Sequence, residues 1–238
     1  EMMELEFCVE PGTDMKWFDY WREQRLNWYL NLGIKKENIK IVDLPKEDIA
    51  HYSKGTSEVW YNWPFMGFGE LEGIANRGDY DLTQQGKHSG KALSYFDEEK
   101  GKPYIPYVIE PSVGVGRAIV AFLVDSYVEE EKRVVLKLHP SLAPVKAAVF
   151  PLLANKPDLA KLAKNIYDNL KIEFGSIAFD DRGNIGKRYF YQDEIGTPYC
   201  ITVDFQTLED NTVTVRDRDT MKQERVRIDK LSSFIRQE

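Results

Sequence analysis

The chain has 238 residues, a net charge of −7 and two cysteines, and 42% of its residues are hydrophobic. This composition indicates a globular protein of one large domain or two smaller ones. No run reaches the roughly 20 apolar residues of a membrane span, and the start, EMMELEF, lacks a signal peptide's basic and apolar regions. Cys8 and Cys200 lie far apart, which favours free thiols in a reducing compartment, so we expect a cytoplasmic protein.

Hydrophobic periodicity predicts alternating strands and helices over the first half of the chain. ELEFCV (4–9) alternates acidic and apolar side chains, as in a strand with one polar face. Asp14 can cap a helix that runs to about Leu32, where Gly33 marks its end. The other predicted elements are a short helix near residues 46–51, strands at 57–63, 69–76 and 103–111, a polar helix or loop at 79–90, and a helix from about Gly114.

The second half has a different pattern, which begins around the charged run EEEKR (129–133). Strand–helix alternation there is typical of a small α/β domain. Its predicted elements are a buried strand within 143–153, a helix at 157–171, strands at 174–179 and 198–205, a helix-like segment at 186–196, a hairpin at 212–228 and a last helix.

Charge also divides the chain in two. Residues 1–131 carry 14 Lys/Arg and 24 Asp/Glu, a balance of −10, whereas residues 132–238 carry 18 and 15, a balance of +3. We therefore predict two domains, 1–131 and 132–238, with different partners. An ordinary solvated surface explains a balance of +3 equally well.

The stretch YVIEPSVGVGRAIVAFLVD (107–125) holds two glycines ahead of an apolar helix. A dinucleotide-binding turn needs G-x-G-x-x-G and an acidic residue about 20 positions later. Gly114 and Gly116 fit the first two places, but Ile119 takes the third. The pattern therefore disfavours a Rossmann fingerprint.

The same stretch predicts a site with an anionic and a cationic half. Arg117 falls in the first turn of the predicted helix, where free N–H groups and the helix dipole favour an anion such as phosphate. Glu110 and Ser112 end the preceding strand and can bind an ammonium. Such a site suits an amino acid beside ATP.

A second glycine-rich segment, GFGELEG (67–73), makes a poor phosphate cradle. Glu70 stands where a pyrophosphate would approach, and its carboxylate suits a cation or a hydroxyl group instead. A turn with solvated glutamates is the alternative interpretation.

Motifs for metal binding and for covalent catalysis are not found. His51, His88 and His139 are scattered, without a cysteine or carboxylate at zinc-ligand spacing. The sequence contains no G-x-S-x-G elbow, Walker A loop or H-E-x-x-H. We therefore predict no metal site built from protein residues.

Several segments together resemble glycyl-tRNA synthetases of the dimeric class II type. They include MELEFCVEPGTD, GELEGIANRGDYDL, KHSGKALSYFD and YIPYVIEPSVGVGRAIVAFLVDSY, the last of which contains motif 3 of the class. KLHPSLAPVKAAVFPLL and DDRGNIGKRYFYQDEIGTPYCITVD are similar to the family's anticodon-binding domain. The resemblance covers essentially the whole chain.

The resemblance implies an α/β (α+β) fold, with an antiparallel sheet and helices followed by a smaller mixed-sheet α/β anticodon-binding domain. It implies ATP-dependent formation of glycyl-adenylate and transfer of glycine to tRNA(Gly), with Mg²⁺ on the ATP phosphates and a homodimeric full-length enzyme. The implied glycine-binding residues are Glu4, Glu110, Pro111 and Ser112, and the implied ATP-binding residues are Glu70, Leu71 and Arg117.

The tRNA-binding candidates come from the second domain, where basic residues lie beside aromatic ones. They are Arg182, Lys187 and Arg188, with Tyr189 and Tyr191 as stacking or core residues.

Two features depart from the family pattern. Gly116 stands where the family usually has an acidic residue before the motif 3 arginine, which removes a charge that could orient Arg117. The chain also begins just after the expected position of motif 2, so we expect a fragment that is inactive alone. A non-catalytic tRNA-binding or subunit-interaction module of the same fold is the alternative.

Overall fold

The computed structural model describes residues 1–50 and 53–236. It divides into two compact units, Glu1–Asp125 and Ser126–Glu238. The boundary between the units thus lies a few residues before the predicted one at 131/132. The roles assigned to the two predicted domains stay predictions.

The first unit consists mainly of antiparallel strands with three helices. Its strands are β1 (Met2–Glu4), β2 (Phe7–Val9), β3 (Ile39–Asp43), β4 (Gly55–Trp63), β5 (Gly67–Gly78), β6 (Tyr95–Asp97), β7 (Lys102–Tyr104) and β8 (Tyr107–Gly114). Its helices are α1 (Asp14–Asn31), α2 (Tyr80–Ser89) and α3 (Val115–Ser126), with a single 3-10 turn at Lys36–Asn38.

Six of these strands form one antiparallel sheet, in the order β1-β8-β5-β4-β3, with β2 also paired to β8. One face packs against α1, whose Tyr29 is fully buried and donates to the buried Glu72 of β5 at 2.7 Å. Glu72 also binds Arg25 at 2.6 Å, so the charge buried on this face is paired. The opposite face carries the polar, half-exposed residues of β5 and β8.

The structure refines several predicted elements of this unit. The strand predicted at 4–9 corresponds to the end of β1 and to β2, which keep one register along β8. The strand predicted at 103–111 is interrupted at Ile105 and Pro106. The polar segment at 79–90 is a helix. The short helix expected near 46–51 is a turn in its described part, and residue 51 lies outside the described residues.

The second unit is a mixed sheet with helices on both faces. Its strands are β9 (Tyr127–Glu129), β10 (Val134–Leu136), β11 (Ala147–Pro151), β12 (Ile177–Phe179), β13 (Tyr199–Val203), β14 (Thr212–Asp217) and β15 (Gln223–Arg227). Its helices are α4 (Pro157–Phe174), α5 (Ile185–Ile195), α6 (Phe205–Asp210) and α7 (Leu231–Ile235), with a 3-10 turn at Ile228–Lys230.

The main sheet has the order β12-β11-β13-β14-β15, in which the first three strands are parallel. Alternate residues of β11 and β13 face two separate apolar clusters. Val149 and Ile201 pack with Leu159 and Ile166 of α4 on one face. On the other face Ala148, Phe150 and Cys200 pack against α5. Both faces are therefore covered, as is usual for parallel strands.

The strand predicted at 198–205 ends earlier, at Val203, because Asp204 starts a helix that was not predicted. Its side chain accepts from the Thr207 amide at 3.1 Å, and the Thr207 hydroxyl accepts from the Asp204 amide at 3.0 Å. This reciprocal capping box begins α6. Among the described helices of the chain, none is long and apolar enough to cross a membrane.

Candidate functional site

The register of β8 gathers most of the predicted amino-acid site on the uncovered face of the first sheet. Ser112 lies opposite Glu4 of β1 on one side and Gly73 of β5 on the other. Glu110 lies opposite Ala75 of β5. A Cβ added at Gly73 would meet no atom within 4 Å, so the space beside Ser112 is open.

Glu4 and Ser112 are in direct contact, since the Ser112 hydroxyl donates to Glu4 Oε1 at 3.3 Å. Pro111, between Ser112 and Glu110, is buried on the opposite face, and its carbonyl accepts from the Leu5 amide at 3.0 Å. Pro111 thus fixes β1 against β8 but turns no side chain toward the open face.

Glu110 has an unusual electrostatic environment. Its pKa is raised to about 7, mainly by the loss of solvent on burial and also by the neighbouring carboxylates Glu6 and Glu4. Arg77 opposes this shift from β5, with Nη1 3.1 Å from Glu110 Oε2. Arg77 in turn binds Asp81 at the start of α2. Glu110 is therefore a partly desolvated carboxyl group that is paired with the Arg77 guanidinium and lies near the carboxylates of Glu4 and Glu6.

Glu6 and Arg77 were not among the sequence-predicted site residues. The signal for Glu6 was the alternation of ELEF, which places Glu4 and Glu6 on one face of a strand. Arg77 follows Gly73 and Ala75 at two-residue spacing, so it shares their face of β5. Glu6 and Arg77 can therefore be assigned to the same polar face as the predicted residues once that face is known for each strand.

Arg117 and Glu70 form the second part of the site. Arg117 lies in the first turn of α3, as predicted, and its side chain is 51% exposed. Its Nη1 donates to the Glu70 carbonyl at 3.3 Å and lies 3.6 Å from Glu70 Oε2. Both residues line a cavity of about 500 Å³ together with Gly116 and Trp63. Glu70 therefore supplies the carboxylate that Gly116 lacks, and it orients Arg117 from β5.

Leu71 has a different position from Glu70. Its side chain is 1% exposed, and it occupies the bulge where the register of β4 on β5 shifts. Leu71 can contact a ligand in the cavity only through its main chain.

The described residues contain no group of three or more His, Cys, Asp and Glu side chains able to hold a metal ion. His51 lies outside the described residues. The exposed carboxylate of this cavity is that of Glu70, and Mg²⁺ in nucleotide sites is commonly held by one or two carboxylates plus substrate phosphates.

The second unit presents a cationic and aromatic surface on α5 and the loop before it. Lys187, Phe190 and Tyr191 lie on one exposed helix face, with Phe190 40% and Tyr191 54% exposed. Arg182 in the preceding loop is 86% exposed and binds Asp180 at 3.0 Å. We call these four residues the α5 surface. Phe190 was not predicted, although its ring is more exposed than that of Tyr189.

Arg188 and Tyr189 do not belong to this surface. Arg188 is 3% exposed, and its guanidinium donates to main-chain carbonyls, so it supports the fold instead of presenting a cation. Tyr189 packs against Phe150, and its hydroxyl lies 2.7 Å from the Thr202 hydroxyl. Of the two interpretations of Tyr189, stacking and core, its position agrees with core.

Comparison with solved structures identifies the class of fold. A prolyl-tRNA synthetase of Cryptosporidium parvum, solved with L-proline and AMP, matches with a TM-score of 0.69 over 99% of this chain and 47% of its own, at 18% identity. The same protein with halofuginone and AMPPNP gives the same values. The predicted fold class is confirmed: the chain has the fold of class II tRNA synthetases.

Sequence comparison finds relatives among the glycine–tRNA ligases. The glycine–tRNA ligases of Streptomyces coelicolor and Bifidobacterium longum are 53% and 52% identical over 246 residues, covering 99% of this chain. The family described as "Anticodon binding domain" matches residues 146–238. The resemblance to glycyl-tRNA synthetases is confirmed over the whole chain, which spans about half the length of the curated relatives it matches, 53% and 50% of these two.

Proposed function

We propose that this chain provides the glycine- and ATP-binding face and the tRNA-binding unit of a glycine–tRNA ligase. The observation that carries the proposal is the juxtaposition of two carboxylates and a hydroxyl with an arginine at a helix start, in a homologue of these ligases. Glu4, Glu110 and Ser112 lie along β1 and β8, and Arg117 follows directly in α3.

Glycine would bind through its ammonium group to the carboxylates of Glu110 and Glu4. Arg77 keeps the Glu110 carboxylate in place at 3.1 Å, and Ser112 holds Glu4 at 3.3 Å. The ammonium would also offset the repulsion between the negative charges of Glu4, Glu6 and Glu110, so a cation is favoured in this position. The open space beside Gly73 leaves room for the rest of the amino acid.

ATP would bind in the cavity between β5 and α3. Arg117 is placed to exchange its contact with Glu70 for paired hydrogen bonds to phosphate. Glu70 would then hold the Mg²⁺ that accompanies ATP, and this ion would neutralise phosphate charge. The residues present fit this role, since a carboxylate and an arginine lie side by side in the lining of the cavity.

The reaction needs no protein nucleophile. The carboxylate of glycine attacks the α-phosphorus of ATP, forming glycyl-adenylate and releasing pyrophosphate. A hydroxyl of the terminal tRNA ribose then attacks the glycyl carbonyl and releases AMP. The chain would contribute positioning and charge neutralisation, which account for large rate accelerations without a catalytic triad.

The second unit would bind the anticodon of tRNA(Gly) through the α5 surface. Phe190 and Tyr191 offer faces for stacking unpaired bases, while Lys187 and Arg182 offer charge for phosphates. The match of residues 146–238 to an anticodon-binding family supports this assignment. Homodimerisation of the full-length enzyme and a cytoplasmic location are further proposals from the family resemblance.

The activity is tested by pyrophosphate exchange, with and without glycine, on two proteins. One is the 238-residue chain, and the other is a ligase chimera that joins this chain to the half of the S. coelicolor ligase that it does not match. We expect glycine-dependent exchange from the chimera and none from the chain alone. An inactive chimera that binds neither glycine nor ATP would reject the proposal.

A non-catalytic tRNA-binding module is the second candidate, because the chain contains the α5 surface but spans about half of its relatives. The chain is titrated with tRNA carrying a glycine anticodon and with tRNA whose anticodon is altered, at low and moderate salt. Anticodon-dependent, salt-sensitive binding is expected. Equal binding of both, without salt dependence, would remove the tRNA role.

A further inference from the structure

Arg188 is a buried cation whose hydrogen bonds, among the described residues, go to main-chain carbonyls. It is 3% exposed, and its charge also helps to lower the pKa of Asp180 in the loop after β12. Its guanidinium stays charged at any physiological pH, and burying such a charge is costly unless its hydrogen bonds are satisfied. The arrangement of its partners therefore shows what the side chain contributes.

Main-chain carbonyls satisfy the guanidinium, and they come from two places. Nη1 donates to the Pro151 carbonyl at the end of β11 at 2.6 Å. Nε donates to the Arg182 carbonyl at 3.0 Å, and Nη2 donates to the Gly183 carbonyl at 3.0 Å. Arg188 thus ties the loop after β12 to the neighbouring strand.

The loop that Arg188 holds carries Arg182 of the α5 surface. Arg182 is 86% exposed, and its side chain pairs with Asp180 of the same loop at 3.0 Å. Asn184, two residues after Arg182, caps α5, because its side chain accepts a hydrogen bond from the Lys187 amide at 2.9 Å. The position of Arg182 relative to α5 therefore depends on the main chain of residues 180–183.

We propose that Arg188 is a positioning residue for RNA binding. It touches no RNA itself, but it fixes the main chain at Arg182 and Gly183, so that Arg182 stands beside the exposed face of α5. The rigid, planar guanidinium can donate to several carbonyls at once, whereas a lysine at this position keeps the charge without that geometry. The inference rests on the proposed tRNA-binding function of the second unit.

The first test is a double-mutant cycle on tRNA affinity, measured with the 238-residue chain. Arg182→Ala and Arg188→Lys are each expected to raise Kd about three- to tenfold, and the double variant is expected to bind no more weakly than the weaker single variant. The matched control is Arg225→Lys, which alters a partly buried arginine that binds Asp204 and lies on β15, at the sheet edge opposite β12. Its effect on Kd should add to that of Arg182→Ala.

The second test needs no RNA. Trypsin cleaves after Arg182, which is exposed, and the initial rate of that cleavage is followed by mass spectrometry. Arg188→Lys should accelerate this cleavage at least about fivefold, because the loop opens more often when its anchor is lost. Arg225→Lys should leave this rate unchanged. If Arg188→Lys is not folded by circular dichroism, Arg188→Gln, which keeps two amide donors, takes its place in both tests.

The outcomes separate the two proposals. Faster cleavage with a non-additive cycle supports the positioning role. Unchanged cleavage after Arg182, or an additive cycle, overturns it. If the unaltered chain does not bind tRNA, the proposed function of the second unit fails and so does the RNA role of Arg188, while the cleavage rates still decide whether Arg188 holds the loop.

Discussion

The two units of this chain place their candidate functional groups in different parts of a sheet. In the first unit one face of the antiparallel sheet packs on α1, and the other face carries Glu4, Glu110 and Ser112. In the second unit α4 and α5 cover both faces of the parallel strands. A fully covered sheet leaves only helices and loops for contact with a large ligand. The architecture thus decides where each unit can act.

The units also use buried charge differently. On the open face of the first unit, burial raises the pKa of Glu110 to about 7, beside two further carboxylates. Such a group is poised to respond to a cation. The second unit instead buries arginines, namely Arg133, Arg188, Arg216 and Arg218, and hydrogen-bonds them to Asp193 or to main-chain carbonyls. Besides the structural pair of Arg25 and Glu72, the first unit thus has a buried charge whose pKa is shifted at the candidate site, whereas the buried charges of the second unit hold α5 and its neighbours in place.

The largest expected effect comes from removing the charge that fixes α5. Asp193 is fully buried and binds Arg133 at 2.8 Å and Arg216 at 2.8 Å. Asp193→Ala would leave the buried Arg216 without its carboxylate and Arg133 with Glu130 alone, and breaking such a buried pair costs about 3–5 kcal/mol of folding free energy. Urea unfolding followed by circular dichroism measures this loss. The control, Asp168→Ala, removes an exposed partner of Lys164 and should cost under about 1 kcal/mol.

The same variant shows whether the units unfold separately. All five tryptophans, at positions 17, 21, 28, 60 and 63, lie in the first unit, so their fluorescence reports on that unit alone. We expect Asp193→Ala to shift the circular dichroism transition but not the tryptophan transition. Equal shifts of both signals would contradict the division into independent units.

Arg117→Ala has the next largest effect and tests the open face. Loss of a charged hydrogen bond to phosphate should cost about 1.5–3 kcal/mol, or about 10- to 150-fold in kcat/KM for ATP in the ligase chimera. Pyrophosphate exchange measures kcat and KM, and tRNA affinity should stay unchanged. Arg227→Ala, an exposed arginine paired with Asp229 in the second unit, is the control and should leave ATP use unaltered. Unchanged kcat and KM in Arg117→Ala would reject the phosphate assignment.

The fold was largely predictable from the sequence because its signals are local. The predicted α4 and α5 and the 212–228 hairpin match the structure closely, since helix periodicity, Pro157 and two polar turns mark their limits. α6 was missed because its start depends on one capping box at Asp204 and Thr207, inside a segment of strand-like composition. The predicted 103–111 strand is interrupted because Pro103 and Pro106 lie near its start, and proline cannot donate a hydrogen bond to a neighbouring strand.

The position of a candidate site residue was predictable where it depends on a single element. Arg117 lies at a helix start as predicted, whereas Glu110 and Ser112, expected at the end of a strand, lie within β8. Pairing between residues far apart in sequence was not predictable. Arg77 of β5 pairs with Glu110 of the neighbouring strand β8, and Glu70 of β5 orients Arg117 of α3. The burial of Arg188 was also not predictable. In the sequence Arg188 looks like a surface cation, and it is enclosed by β11 and the loop after β12, which lie far from it in sequence.

A moderate effect is expected from Glu110→Gln, and it depends on pH. With its pKa raised to about 7, Glu110 is mostly protonated at about pH 6 and mostly ionised at about pH 8. The ammonium of glycine stays charged over this range and needs the ionised form. In the ligase chimera KM for glycine should therefore fall as pH rises, and Glu110→Gln should raise KM about tenfold at the higher pH and flatten the profile. An identical pH profile in the variant would exclude Glu110 as the ammonium ligand.

The same shift predicts the pH dependence of stability. Because the pKa of Glu110 is higher in the folded state than its ordinary value of 4.5, the folded state binds the proton more tightly. Its contribution to stability is thus present at low pH and is lost as pH rises from about 4.5 to about 7. The unfolding free energy of the chain relative to Glu110→Gln should decrease over that window. An increase would show that the contact with Arg77 outweighs desolvation.

The smallest expected effect separates the α5 surface from the rest of the second unit. Lys187 is exposed on α5 beside Tyr191, whereas Lys171 on α4 donates to the Tyr167 hydroxyl at 2.8 Å. If Lys187 contacts a phosphate of unpaired RNA, Lys187→Ala should lower the slope of log K against log salt by about 0.7 and weaken tRNA binding only a few fold. The slope is measured with the 238-residue chain between about 50 and 200 mM salt. Lys171→Ala removes the same charge from a different helix and should leave the slope unchanged. If both variants lower the slope equally, the second unit attracts RNA by overall charge, and α5 has no special role.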